Sequence, residues 1–368
     1  MADNTKIEWA QATWNPIVGC SKTSEGCVHC YAERMAHRLG SNPTMKGRYA
    51  GLTDDKGNWT GEVRLIEEAL DKPFSWKKPR RIFVGSMTDL FHKNVPDEWI
   101  YLLLAVAALN PRHTFMVLTK RPARMQHFFA TNQSDLQERI MDAAMQLYGE
   151  EAWASAGNSM MGALAPGFNV GWPMRNLWLG VTAENQKRAD ERIPLLATTP
   201  AAVRFVSYEP ALGPIDLGPW LGVTQFEDGE PWSRETRADL DWVICGGETG
   251  PGAQPMHPDW SRNLRDQCAA AGVPFFFKQW GEWGTNWIDM RNNSPAWKKY
   301  SDFNHYCAKA HWIQKGDRLI CPDGHIPTHG GEEGKTYPMC IVSRVGKAKA
   351  GHLLDGREHL EFPEAARG

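Results

Sequence analysis

The sequence lacks any long hydrophobic run. The apolar stretch YLLLAVAALN, residues 101–110, is far shorter than the roughly 18 residues that a membrane-spanning helix needs, and it predicts a buried helix instead. The first residues, MADNTKIEWA, lack the basic start and apolar core of a signal peptide. We therefore expect a cytoplasmic protein with no membrane partner.

The sequence also contains few cysteines and has a small net charge. Eight cysteines in 368 residues, unevenly spread, are too few for a disulfide scaffold. In a reducing compartment, clustered thiols more often indicate a metal site or catalysis. A net charge of -2 excludes a chain that is basic throughout, although a local basic groove remains compatible with it.

Short apolar runs, each ending in a polar, Gly- or Pro-containing segment, recur along the chain. Their near-continuous hydrophobicity is typical of strands that are covered on both faces. Helix-like stretches lie between them, such as PDEWIYLLLAVAALN and HPDWSRNLRDQCAAAG. This alternation predicts an α/β protein with a parallel sheet, either doubly wound or closed as a barrel. The seven strand candidates are TWNPIVG, RIFVGSMTDLFH, HTFMVLTKRP, NLWLGVTAEN, VRFVSYEPALGP, DWVICGGETG and PFFFKQWG.

Polar side chains at the strand ends favour the barrel, because the carboxyl ends of barrel strands converge on one mouth. We predict a partial (β/α) barrel of six or seven parallel strands over residues 1–280, with an insertion at about 131–172. Residues 281–368 are predicted to be a C-terminal extension packed at the barrel mouth. The strand-end residues are Asp89, His92, Lys120, Arg121, Glu184, Asn185, Glu209, Glu248, Lys278 and Gln279.

Three thiols, Cys20, Cys27 and Cys30, lie on one loop after the first strand candidate. A structural zinc site would need a fourth ligand, which would be His29 or a distant residue. A redox C-x-x-C motif would leave Cys20 without a role. An iron–sulfur cluster held by three thiolates would leave one iron open for a ligand, as catalysis requires.

The sequence resembles the radical S-adenosylmethionine superfamily in this cysteine loop. Over nearly the whole chain it resembles more closely a phage-associated three-cysteine-motif family of uncharacterised proteins, related to that superfamily. The segments that carry the resemblance are TWNPIVGCSKTSEGCVHCYAERMA, SMTDLFH, LTKRP, WLGVTAENQ, SYEPALGPIDL, GGETGPGAQPMHPDW, FFFKQWG and GHLLDGRE.

The resemblance implies a [4Fe–4S] cluster on Cys20, Cys27 and Cys30, S-adenosylmethionine as cofactor, a 5′-deoxyadenosyl radical and a reducing electron donor. The spacing here is C-x6-C-x2-C, whereas the usual superfamily spacing is C-x3-C-x2-C. His29 stands where an aromatic residue usually precedes the third cysteine, and it can still stack on or bond to adenine.

Cofactor-binding candidates follow the third and fourth strand candidates. Glu184, with Thr182 and Asn185 beside it, could accept hydrogen bonds from ribose hydroxyls, or could be a helix N-terminal Glu favoured by the helix dipole. Lys120 and Arg121 could neutralise the cofactor carboxylate or a substrate phosphate, or could form an exposed basic turn.

Catalytic candidates follow later strands. Lys278 comes directly after three phenylalanines, so it leaves the core at the barrel mouth or is buried and paired. Glu209 in SYEP offers a carboxylate that faces the barrel, because Pro210 disfavours a helical conformation at the residue before it. Asp89 and His92 could be a metal pair or acid–base partners, although a helix cap formed by Asp89 is the more frequent arrangement.

Nucleic acid or a nucleotide is the leading substrate hypothesis. The segment KPFSWKKPRR, residues 72–81, interleaves five basic residues with Phe74 and Trp76, as nucleic-acid contacts often do. An ordinary solvated turn has the same composition. The alternative hypothesis is a zinc-stabilised, non-catalytic phage-associated protein that binds nucleic acid or protein. Cys307, Cys321 and Cys340 could bind a second metal, but structural thiols fit their wide spacing better.

Overall fold

The computed structural model describes residues 5–156, 172–224, 233–234, 238–290, 294–328 and 334–364. Residues 157–171 of the predicted insertion lie outside these ranges. In the described part, no helix is both long enough and apolar enough to cross a membrane.

Seven parallel strands form the main sheet, as the sequence predicts. Their order in the sheet is the same as their order in the chain. A doubly wound sheet reverses its strand order at a switch point, and this sheet does not. The fold is therefore a partial (β/α) barrel, and the predicted class is confirmed. The strands are β1 (Ala12–Trp14), β2 (Arg81–Val84), β3 (Thr114–Thr119), β4 (Leu177–Thr182), β5 (Val203–Tyr208), β6 (Trp242–Gly246) and β7 (Phe275–Gln279).

The strands form because their apolar residues are buried on both faces. All six residues of β4 are buried, and all five of β6. Ile82 of β2 is in register with both Ala12 of β1 and Phe115 of β3, and Phe115 is in turn opposite Leu177 of β4. Burial of each large apolar side chain stabilises the sheet by about 1.5–3 kcal/mol.

Helices connect the strands, and their ends follow the predicted signals. Pro96 precedes the second helix, and Gly272 ends the sixth with a left-handed φ of 66°. Within the predicted insertion, the fourth helix contains the non-helical Gly149. The helices are α1 (Tyr31–Gly40), α2 (Asp97–Ala108), α3 (Pro122–Phe129), α4 (Gln133–Ala156), α5 (Gln186–Ala197) and α6 (Pro258–Ala271).

Shorter elements complete the described chain. The short helices are Glu25–Cys27, Lys46–Tyr49, Glu67–Ala69, Lys72–Ser75, Gly218–Leu221, Phe303–Ala308, Ala310–Trp312 and Lys347–Ala350. The paired short strands are Ile17–Val18 with Arg64–Leu65, Val223–Thr224 with Ser233–Arg234, and Ile288–Asp289 with Ser294–Pro295.

The C-terminal extension contains an antiparallel sheet. Its central strand, Met339–Arg344, pairs with Trp283–Gly284, Lys299–Tyr300 and Asp317–Ile320. Further along, the chain returns to the main sheet, where the Phe277 amide of β7 donates to the His359 carbonyl over 2.8 Å. The returning segment therefore covers part of the edge of β7, which protects an otherwise open strand edge.

The chain divides into two compact units. The first comprises Met1–Val181, Arg192–Phe205 and Glu364–Gly368, and the second comprises Thr182–Glu191 and Val206–Pro363. The predicted boundary near residue 280 stays a prediction.

Candidate metal centre

The cysteine loop begins at a glycine that no other residue can replace without strain. Gly19 has a φ of 99°, and a Cβ at this position would lie 2.1 Å from the Glu62 carbonyl oxygen. Cys20 follows at once, Cys27 ends the short helix Glu25–Cys27, and Cys30 directly precedes α1. All three are free, partly buried thiols. The local backbone therefore holds three soft donors on one loop after β1.

Arg121 lies two residues after β3 and contacts both this loop and Asp89, which follows β2. Its Nη1 donates to Asp89 Oδ2 over 2.8 Å and to Cys20 Sγ over 3.8 Å. Its Nη2 donates to the carbonyl oxygen of Ser21 over 2.8 Å and to Ser21 Oγ over 3.0 Å. A single guanidinium therefore contacts a carboxylate, a thiol, a carbonyl and a hydroxyl.

Asp89 is the anchor of this arrangement. The Thr119 hydroxyl and the Phe91 amide donate to its Oδ1 over 2.7 and 3.0 Å. The Lys120 amide and the Arg121 guanidinium donate to its Oδ2 over 3.0 and 2.8 Å. The carboxylate is 6% exposed. It fixes the ends of β2 and β3, rather than capping a helix.

His92 approaches the same loop from the segment after β2. Its Nδ1 accepts from the Asn94 amide, so Nε2 carries the proton and donates to Ser21 Oγ over 2.8 Å. Burial, with a contribution from the Arg121 charge, lowers the pKa of His92 to about 4, which keeps the ring neutral near pH 7. Asp89 and His92 therefore act on the cysteine loop through Arg121 and Ser21.

The three thiols differ in their electrostatic surroundings. Burial, reinforced by the Asp89 charge, raises the pKa of Cys20 to about 12, although Arg121 acts in the opposite direction. Burial also opposes ionisation of Cys27, but the Lys120 charge and hydrogen bonds from Thr23 and Ser24 lower its pKa overall. Lys120 thus acts on the loop through its charge.

The donor set fits an iron–sulfur cluster by its chemistry, because thiolates are the ligands that hold such clusters. Among the described residues, no group of three or more His, Cys, Asp or Glu side chains is arranged to hold a single metal ion. A closed zinc site needs four ligands about 2.0–2.3 Å from one ion. Three cysteines would supply three ligands of a four-iron cluster and leave one iron without a cysteine ligand.

A second polar group lies at strand ends within the second unit. Lys278 Nζ donates to Glu209 Oε1 over 2.7 Å, so the two candidate catalytic residues form a largely buried ion pair. Gln279 Nε2 also donates to Glu209 Oε1, over 3.5 Å, and to the Gly247 carbonyl over 2.9 Å. Lys278 is therefore largely buried, with 14% of its side chain exposed, and it is paired with Glu209.

The predicted ribose-binding residues are enclosed. Glu184 is 0% exposed and Thr182 is 2% exposed. Asn185 Oδ1 accepts from the Arg188 amide over 3.1 Å, and so caps the start of α5. His29, the candidate adenine contact, is half-buried on the cysteine loop.

The basic segment 72–81 uses its aromatic residues for packing. Trp76 is 3% exposed, and Lys72 and Arg80 lie over its ring. Phe74 packs edge-on against Tyr148, with ring centroids 5.0 Å apart. Lys77 and Lys78 are exposed. The segment therefore has positive charge on the surface, whereas its tryptophan is buried and is not available to stack on a base.

Ser21 contributes to the centre, although nothing in its local sequence predicts this role. Its partners lie 71 and 100 residues away in the chain, and a lone serine in a polar loop carries no periodic signal. Cys340 is buried in the central strand of the C-terminal sheet and Cys321 is buried directly after the strand Asp317–Ile320, whereas Cys307 is exposed. The burial of Cys321 and Cys340 fits the structural role that the sequence favours for them.

These observations define an α/β protein with a partial (β/α) barrel and a three-cysteine loop after its first strand. The chain belongs to the family described as Protein of unknown function (DUF5131), whose model matches residues 4–363. No curated protein and no solved structure matches the chain. The predicted membership of a family of uncharacterised proteins is thereby confirmed.

Proposed function

We propose that the protein is an iron–sulfur enzyme of the radical S-adenosylmethionine type. The observation that carries the proposal is the position of three free thiols on the loop that follows β1 of a partial (β/α) barrel. Polar residues that contact this loop follow β2 and β3, the two strands next in the sheet. In barrel enzymes, catalytic groups occupy this end of the strands.

Cys20, Cys27 and Cys30 would hold a [4Fe–4S] cluster and leave one iron open for the amino and carboxylate groups of S-adenosylmethionine. When bound, the reduced cluster supplies the electron that cleaves the sulfonium bond and gives a 5′-deoxyadenosyl radical. The chain's own residues bind and orient the reactants and exclude water. A reducing electron donor is required as a partner.

Lys120 is the proposed cation for the cofactor carboxylate, and the effect of its charge on Cys27 supports this role. His29 would contact adenine, and Thr182, Glu184 and Asn185 are the proposed ribose contacts. Glu184 is enclosed in this structure, so ribose binding would require its side chain to become accessible.

Lys278 and Glu209 are proposed to contact the substrate. Because their ammonium and carboxylate groups are 2.7 Å apart, the pair can hold a proton at Lys278 Nζ, and a basic substrate group that takes the place of the carboxylate would accept that proton. Nucleic acid or a nucleotide is the proposed substrate, supported by the exposed lysines of segment 72–81.

The zinc-stabilised alternative gains no support from the geometry. The loop cysteines supply three of the four ligands that such a site needs, and no fourth ligand is identified among the described residues.

The test is cofactor cleavage. Anaerobically reconstituted and reduced protein should convert S-adenosylmethionine slowly to 5′-deoxyadenosine and methionine, measured by chromatography. The variant Cys30→Ala should form neither product, whereas Cys268→Ala, a buried thiol in α6, should retain the activity. A protein with an intact cluster that neither binds nor cleaves the cofactor would contradict the enzyme assignment.

A further inference from the structure

Arg121 has little capacity left for a cofactor. An arginine has five N–H groups, and four of those in Arg121 face Asp89, Cys20, the Ser21 carbonyl and the Ser21 hydroxyl. A carboxylate usually binds arginine through two parallel N–H groups. Among the described residues, these contacts leave the Nε–H of Arg121 without an acceptor, so binding the cofactor carboxylate through two N–H groups would break at least one contact that holds the loop.

We infer that Arg121 is a positioning residue for the cluster: it fixes Cys20 and donates an N–H group to the Cys20 sulfur. The inference rests on the proposed function, since it concerns Cys20 as a cluster ligand. It replaces the expectation that Arg121 binds the cofactor.

The surroundings of Arg121 make it a rigid support. Asp89 Oδ2, its ion-pair partner, also accepts from the Lys120 backbone amide, so the carboxylate cannot rotate without losing a second bond. The Arg121 side chain is 14% exposed. A rigid and partly desolvated guanidinium forms stronger hydrogen bonds than an exposed one.

Ser21 receives support from the other side. The His92 Nε2–H and the Arg121 Nη2–H both donate to Ser21 Oγ. Both acceptor positions of the hydroxyl are therefore used. Ser21 is adjacent to Cys20, so the loop is held at its backbone, at a side chain and at the sulfur itself.

A donor at a ligand sulfur has a measurable consequence. Hydrogen bonds to cluster sulfurs and nearby charge help to set the reduction potential. An N–H donor on Cys20 withdraws electron density, which makes reduction easier. Loss of the donor should therefore shift the midpoint potential to a more negative value, and the loosened ligand should release iron faster.

The experiment compares wild-type protein with Arg121→Lys, which keeps the positive charge but cannot reach all four acceptors. Arg262→Lys is the matched control, because Arg262 also bridges several acceptors, on Asp259 and Asp355, and belongs to the second unit. After anaerobic reconstitution, the midpoint potential is measured by redox titration with electron paramagnetic resonance. The rate of iron release to a chelator is measured in parallel.

We expect Arg121→Lys to bind the cluster with a more negative midpoint potential and about tenfold faster iron release, within the range for lost outer-shell contacts. Arg262→Lys should match the wild type in both measurements. An Arg121→Lys protein indistinguishable from the wild type would overturn the inference. Wild-type protein that takes up no iron would overturn the proposed function, and the inference with it.

A second variant covers the case in which Arg121→Lys does not fold. Ser21→Ala removes one acceptor of the guanidinium and leaves the arginine in place. It should shift the potential in the same direction by a smaller amount, with normal circular dichroism. A folded Ser21→Ala protein with an unchanged potential and an unchanged rate of iron release would also overturn the inference.

Discussion

Individual polar side chains outside the cysteine loop determine how the loop is held. Asp89 accepts four hydrogen bonds from two segments, one from Phe91 after β2 and three from residues 119–121 at the end of β3. Arg121 in turn contacts Cys20 and Ser21. A buried carboxylate is tolerated only when it is paired and hydrogen-bonded, and Asp89 satisfies both conditions. Replacing Asp89 should therefore also weaken the contacts that Arg121 makes with Cys20 and Ser21.

Two aspartate–arginine pairs in the first unit allow this to be tested. Asp89→Asn should lower the free energy of unfolding by about 3 kcal/mol, because it leaves the buried Arg121 guanidinium without its carboxylate. Asp97→Asn removes the partner of Arg124, but Asp97 is 53% exposed, so the loss should be no more than about 1 kcal/mol. Urea unfolding of the metal-free proteins measures both values. Equal losses would contradict the anchoring role of Asp89.

The segments after β6 and β7 cross each other at very short range. Gly247 donates its amide to the Gln279 carbonyl over 2.9 Å, and a Cβ on Gly247 would lie 2.1 Å from the Trp280 carbonyl oxygen. Gly281, with a φ of 84°, makes the reciprocal approach to the Glu248 carbonyl. These glycines allow Glu209, Lys278 and Gln279 to meet.

This crossing predicts that Gly247→Ala is strongly destabilising. The added methyl group must displace backbone, so the free energy of unfolding should fall by at least about 2 kcal/mol. Gly47→Ala is the control, because no atom lies within 4 Å of its Cβ position and the residue is in a short helix. The control should be neutral or stabilising by about 0.4–1 kcal/mol. A tolerated Gly247→Ala would show that the two segments do not approach so closely.

The elements could be predicted from sequence, whereas most of their side-chain contacts could not. Near-continuous apolar runs located all seven strands, and Pro96 and Gly272 marked helix ends correctly. The role of Ser21 depends on Arg121, which is 100 residues away, and that pairing follows from sheet register rather than from local sequence. Gly247 lies in the segment GGE, residues 246–248. A glycine is needed there because two backbone segments cross, and no local sequence pattern reveals that crossing.

The whole molecule combines a parallel sheet of seven strands with an antiparallel C-terminal sheet. The extension has its own core, which includes Tyr300, Leu319, Met339 and Ile341, and the chain then returns to pair with β7. The family model spans both parts of the chain. The proposed cluster lies on the loop after the first strand, and its three ligands come from one short stretch of sequence.

Metal analysis decides whether this stretch holds the proposed iron–sulfur cluster. Protein purified and reconstituted without oxygen should contain about four iron and four sulfide ions per chain and should lose its broad visible absorbance in air. Replacing Cys20, Cys27 or Cys30 by alanine should abolish this content, while Cys245→Ala or Cys268→Ala should leave it unchanged. Stoichiometric zinc in the wild-type protein, with no uptake of iron, would contradict the account.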